Sequence, residues 1–161
     1  MESVETEPQE SERRSSLESR APRVLLADDD HDTRAVLAAA LRQDGFQVLE
    51  ARDGGELLDL VSASLLGEGT APQPDLIVSD VRMPGFSGLG ILTGLRASSW
   101  KVPFVLVTAY GSDDLFDEAR EVGADAIFYK PFDIDDLRTA ICNLLPNSTL
   151  RRSRVRMRGM F

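Results

Sequence analysis

The chain reads as a doubly wound α/β domain, a five-stranded parallel sheet with five helices. Two observations predict this. Short apolar runs alternate five times with amphipathic stretches, the rhythm of strand and crossover helix. The runs are also nearly continuous in Val, Ile and Leu, as strands covered on both faces must be.

The elements follow in order. Residues 23–27 are an apolar run too brief for a helix and ending in acids, hence a buried strand. From 32 to 43, Ala35, Val36, Ala39, Ala40 and Leu41 recur at helical spacing, and Gly45 supplies the stop. Residues 46–51 are the second strand. Asp53 and Glu56 form a capping-box pattern opening a helix through Leu57, Leu58, Leu60, Val61 and Leu65. A loop covers 67–74. Residues 76–79 are the third strand, 87–98 the third helix and 103–107 the fourth strand. Residues 112–122 form the fourth helix with Gly123 as its stop, and 126–129 the fifth strand. The last helix opens at an Asp133 cap and runs to Leu145, where Pro146 ends it. Right-handed crossovers leave few connectivities. The strand order expected is 2-1-3-4-5, the flavodoxin-like arrangement, with its ligand site beyond the carboxyl ends of strands 1 and 3.

This unit occupies 23–145. Residues 1–22 read as a disordered acidic arm and 146–161 as an arginine-rich tail or linker. The net charge of −9 is unevenly spread: the arm carries −3 and the stretch from Arg151 to Arg158 carries +5, leaving −11 on the middle. Such a core repels duplex DNA, so nucleic acid is not expected as its partner. No apolar run approaches the ~20 residues of a membrane span, and the amino terminus lacks the apolar segment of a secretory signal. Cys142 is the only cysteine. It excludes an internal disulfide framework and suits the cytoplasm, and its helical apolar setting marks it as core.

The polar residues that end the apolar runs all fall at one edge of this sheet. Asp28, Asp29 and Asp30 stand just past strand 1, Asp80 just past strand 3, Thr108 at the end of strand 4 and Lys130-Pro131 after strand 5. Each has a plainer role taken singly. Acids before a helix cap it, Thr108 could cap the fourth helix (Ser112 is the better cap), and a lysine is usually solvated. Strands 1, 3, 4 and 5 are neighbours in the expected order, so these groups should share one pocket. Clustered carboxylates repel one another unless a cation lies among them, and all-oxygen ligands select a hard ion such as Mg²⁺. With that charge neutralised, a carboxylate can act as nucleophile toward phosphorus. Lys130 supplies a point charge and Thr108 a hydroxyl donor.

Val24 through Asp30, Asp75 through Gly85 with Gly88, Val107-Thr-Ala109 and Tyr129-Lys-Pro-Phe132 resemble, in order, the motifs of the receiver domain of two-component response regulators. The resemblance covers roughly 23–145 and extends to single-domain chemotaxis-type receivers. It implies that Asp80 accepts a phosphoryl group from a histidine kinase or histidine phosphotransfer protein. It implies further that Asp28, Asp29, Asp80 and the backbone carbonyl of Arg82 hold Mg²⁺, and that Thr108 and Lys130 hold the phosphoryl group. A cis Lys130–Pro131 bond is implied, with a switch that draws Thr108 inward and repacks the fourth helix, fifth strand and fifth helix. The output would be a change in protein contacts, as a monomer or a phosphorylation-dependent dimer, rather than turnover of a substrate.

The chain departs from the family pattern at three positions. Ile127 stands three before the lysine, where an aromatic residue is common, so an aromatic-rotamer switch is not expected. Arg82 and Tyr110 stand two after Asp80 and Thr108, beside the path of hydrolytic water, and are expected to shield the aspartyl phosphate. His31 is expected to be solvated, Trp100 to pack at a helix end, and the acids of the fourth helix to form a solvated face. The competing readings are a phosphohydrolase of the haloacid dehalogenase type, a receiver-like module that works without phosphate, and the receiver part of a larger DNA-binding regulator. The first expects an acid where Arg82 stands.

Overall fold

The computed structural model describes residues 20–67 and 73–145. The expected acidic arm (residue 20 onward apart) and the arginine-rich tail lie outside the described residues. The elements are β1 (Arg23–Ala27), α1 (His31–Gln43), β2 (Gln47–Ala51), α2 (Gly54–Leu66), β3 (Leu76–Asp80), α3 (Gly88–Ala97), β4 (Phe104–Thr108), α4 (Asp113–Val122), β5 (Ala126–Tyr129) and α5 (Ile134–Leu144). All strand pairs are parallel, in the order β2-β1-β3-β4-β5, as the sequence predicts.

The period of two along each strand divides the interior into two cores. Val24, Leu26, Leu76, Val78, Val105 and Val107 face one side, where Leu37 and Leu41 of α1 and Leu137 and Ile141 of α5 cover them. Leu25, Ile77, Phe104 and Leu106 face the other, under Leu57 and Val61 of α2, Leu92 and Leu95 of α3 and Ala119 of α4. The three central strands are buried almost throughout. β2 and β5 are edge strands and stay half-exposed, so burial on both faces holds for the middle of the sheet only. Each fully buried Leu or Ile contributes about 1.5–3 kcal/mol of transfer free energy.

Each helix starts at the carboxyl edge with a side-chain cap. Asp30, Asp53, Ser87, Ser112 and Asp133 accept from the backbone N–H of Asp32, Glu56, Gly90, Leu115 and Asp135. The capping box of α2 is only half formed. Glu56 accepts at 2.6 Å from the N–H of Arg52 rather than from that of the cap Asp53, because Arg52 also pairs with it through its guanidinium. Five helix N-termini therefore point their positive dipole ends toward one edge of the sheet.

The opposite edge is tied by acids. Asp75, before β3, accepts from the N–H of Arg23 at 2.7 Å, and Asp125, before β5, accepts from that of Phe104 at 2.8 Å. In each case an acid satisfies the first donor of the neighbouring strand. Arg96, at the end of α3, donates to the carbonyls of Trp100, Val102 and Gly123 and pairs with Asp125 at 3.3 Å.

Candidate functional site

The carboxyl edge brings together residues from four strands. Asp80 is the last residue of β3 rather than the first beyond it, since its backbone remains in the ladder opposite Val107. It is 8% exposed. Its Oδ2 accepts from Lys130 Nζ at 3.0 Å, and its Oδ1 accepts from the Arg82 N–H at 3.3 Å. Asp28 follows β1 and is buried. Its Oδ2 accepts from the same Lys130 ammonium at 2.9 Å and its Oδ1 from the Asp30 N–H. Asp29 is exposed beside them, and one carboxylate oxygen from each of Asp28, Asp29 and Asp80 lies within 4.8 Å of the others. Three close oxygen donors, with no softer ligand among them, suit a hard divalent cation.

Asp30 takes the plainer of its two roles. It caps α1, accepting from Asp32 N–H and from the Thr33 hydroxyl, and that hydroxyl bond holds its carboxyl below the usual range. Ser112 and not Thr108 caps α4. The fully buried Thr108 accepts through its Oγ1 from the Tyr110 N–H at 3.1 Å and through its carbonyl from the Lys130 N–H at 2.7 Å. The hydroxyl thus has its proton free of that bond, while the backbone fixes the start of the lysine. The Lys130–Pro131 bond is cis.

The electrostatics are asymmetric. Burial pushes the Asp80 carboxyl up, and the hydrogen bond from Lys130 only partly offsets this. For Lys130, burial favours the neutral amine, yet its bonds to Asp28 and Asp80 leave it above its ordinary value. Both directions hold together because two acids share one ammonium. The lysine gains from both partners, whereas Asp80 is also repelled by Asp28.

Arg82 and Tyr110 meet over this edge. The guanidinium carbon lies 4.5 Å from the centroid of the tyrosine ring, a cation–π contact between the loops after β3 and β4. Tyr110 is 63% exposed, so the pair forms an outer layer. Ile127 is half-buried, packed against the core that α2, α3 and α4 cover.

Two supporting residues, Arg34 and Gly54, are not legible in the pattern of sequence, and the packing role of Gly88 is not legible either, although the motif quoted above includes it. Arg34 is buried on α1 and donates to the Asp28 carbonyl at 2.7 Å, with Glu50 3.3 Å from its Nε. It fixes the loop that carries the acids. Gly88 opens α3 against the backbone of Asp80, where a Cβ would stand 2.3 Å from the Asp80 carbonyl oxygen. Gly54 lies against the loop after β3, and a Cβ there would meet the Phe86 carbonyl oxygen at 1.9 Å. Only the run of glycines near Asp53 and after Pro84 hints at such close approaches.

Comparisons with known proteins give the family and the fold. Residues 24–142 match the family model described as the response regulator receiver domain. The chain is 34% identical over 124 residues to sporulation initiation phosphotransferase F of Bacillus subtilis, covering 77% of this chain and 94% of that protein. It is 38% identical over 125 residues to the transcriptional regulatory protein PrrA of Mycobacterium tuberculosis, covering 78% of this chain but only 50% of that protein. Among solved structures, a Francisella response regulator receiver domain superposes with a TM-score of 0.69 at 29% identity, covering 82% of this chain and 98% of the other.

Proposed function

The chain belongs to the response regulator receiver domains of two-component systems, and from that premise we propose that Asp80 is its phosphoacceptor, charged by a histidine kinase or a histidine phosphotransfer protein. Phosphorylation-dependent switching is the general function of the family. The observation that carries the assignment is the buried Asp80 carboxylate, in contact with Lys130 and within one cluster of acids at the carboxyl edge.

In the proposed reaction an Asp80 carboxylate oxygen attacks the phosphorus of the partner's phosphoimidazole. The P–O bond forms as the P–N bond breaks, and the electron pair leaves on the imidazole nitrogen, which takes a proton from solvent. Lys130, already bonded to Asp80, turns its ammonium to a phosphoryl oxygen, and the Thr108 hydroxyl donates to another. Asp28, Asp29, Asp80 and the Arg82 carbonyl would hold Mg²⁺. When bound, the ion neutralises the charge that gathers between the acyl and phosphoryl oxygens. The positive ends of the helix dipoles favour the same charge.

Movement of Thr108 and Lys130 toward the new group would repack the α4–β5–α5 face, because the Thr108 carbonyl and the Lys130 N–H are joined across β4 and β5. The output is then a change in protein contacts, by a monomer or a phosphorylation-dependent dimer in the cytoplasm. Among the described residues, no helix is long and apolar enough to cross a membrane. The Arg82–Tyr110 pair, on the loops after β3 and β4, would lengthen the life of the acyl phosphate by limiting access of water.

The test is incubation with Mg²⁺ and acetyl phosphate. Wild type is expected to gain a base-labile phosphoryl adduct and the Asp80→Asn variant none. Absence of the adduct on wild type, beside a competent control, would favour a receiver-like module that works without phosphate. An adduct of equal yield on the variant would move the acceptor elsewhere.

A further inference from the structure

A groove of about 550 Å³ lies between α1 and the β5–α5 connection, and of the candidate site residues only Lys130 lines it. Its lining is largely apolar, with Val36 and Leu37 on one wall and Pro131, Phe132 and Ile134 on the other. Val36 is 55% exposed there. The surround is acidic. Asp32 lines the groove with its side chain 98% exposed, and the exposed caps Asp30 and Asp133 and the exposed Asp135 in the first turn of α5 lie near it in the chain. The nearby cations are already engaged, Lys130 by Asp28 and Asp80 and Arg138 by Asp44 and Asp135. An occupant that fits must bring apolar side chains and positive charge together.

One segment of this chain has that composition. Arg154-Val155-Arg156-Met157-Arg158 alternates cation and apolar residue. In an extended backbone such alternation puts Val155 and Met157 on one edge and the three arginines on the other. Reach is sufficient. α5 has 11 residues and is therefore about 16 Å long, whereas the ten residues from Leu145 to Val155 span up to about 33 Å when extended. The chain can return along α5 from its end to its start, where Ile134 forms part of the groove.

We propose that residues 154–158 of the chain dock in this groove, Val155 and Met157 against its apolar lining and the arginines toward the acidic rim. The docking stands apart from the phosphoacceptor reading.

The test is amide NMR on the whole chain with Val155→Ser and Met157→Ser combined, and separately with Val36→Lys, which adds positive charge at an exposed position. The tail variant is expected to shift the resonances of Val36, Phe132 and Ile134, Val36→Lys is expected to shift those of Val155 and Met157, and both should leave Thr93 and Leu95 on α3 in place. In wild type, raising the salt should move the same resonances toward the variant positions, and dilution of about tenfold should not. Unmoved groove resonances in the tail variant would overturn the proposal. So would shifts confined to Asp117 and Glu121 on α4, which would seat the segment on that helix. Groove shifts that disappear on dilution would also overturn it, since the segment would then come from a second copy.

Discussion

Lys130 and Asp80, fifty residues apart in the chain, meet at 3.0 Å across the carboxyl edge of the sheet. The same ammonium holds Asp28 at 2.9 Å. Removing it leaves two buried carboxylates side by side. Lys130→Met is expected to cost about 3 kcal/mol in the presence of a chelator, the lower end for breaking a buried pair, and Mg²⁺ should restore part of the loss. Urea unfolding with and without the ion measures both. Equal stability of variant and wild type in chelator would show that the lysine does not balance the acids.

The Asp80 carboxyl gives a pH dependence. Burial holds it above its ordinary 3.8, with Lys130 offsetting only part. Between the ordinary value and the raised one the folded chain binds more protons than the unfolded chain, so stability falls as pH rises through that interval. Above it the burial cost of the charge is fully present. Asp80→Asn should therefore melt above wild type at neutral pH without metal, with the gap closing as the pH falls below the ordinary value. A gap that widens on acidification would contradict the sign.

The Arg82 guanidinium carbon lies 4.5 Å from the Tyr110 ring centroid, on the loops that follow β3 and β4. Trimming both to Ala is expected to speed loss of the phosphoryl group roughly tenfold, equal to about 1.4 kcal/mol of barrier. Decay of the isolated phosphoprotein gives the rate directly. No acceleration would mean that the pair does not exclude water.

Gly88 leaves no room for a methyl group, because its Cβ would fall 2.3 Å from the Asp80 carbonyl oxygen and 2.7 Å from Ser79 Oγ. Gly88→Ala should destabilise the domain by about 1–3 kcal/mol, the usual cost of overpacking, and slow phosphoryl uptake by displacing Asp80. Thermal melts and acetyl phosphate labelling test the two effects. A stable variant with wild-type uptake would show that the loop gives way freely.

The sequence carries the sheet because its signal is local. Each apolar run names a strand, each stop residue a helix end, and the two-residue period assigns Val24 and Leu25 to opposite cores. Convergence of Asp28, Asp29, Asp80 and Lys130 follows from strand order alone, which is why the candidate site is legible before any coordinates. Arg34 is not legible, for its helical position looks solvated and only the fold turns it under the Asp28 carbonyl. The half-formed capping box at Asp53 escapes for a related reason. Glu56 has a competing donor one residue earlier, and spacing cannot rank the two. The stacking of Arg82 on Tyr110 depends on two loops meeting, which neither loop encodes.

The tie of Arg96 to the carbonyls of Trp100, Val102 and Gly123, with Asp75 and Asp125 each gripping an adjacent strand, makes the molecule resemble a bound book. The pages are stitched along the spine, far from Asp80. A chemical event at the free margin can turn the outermost leaf without loosening the stitching, and the rest of the volume stays in register while it reports.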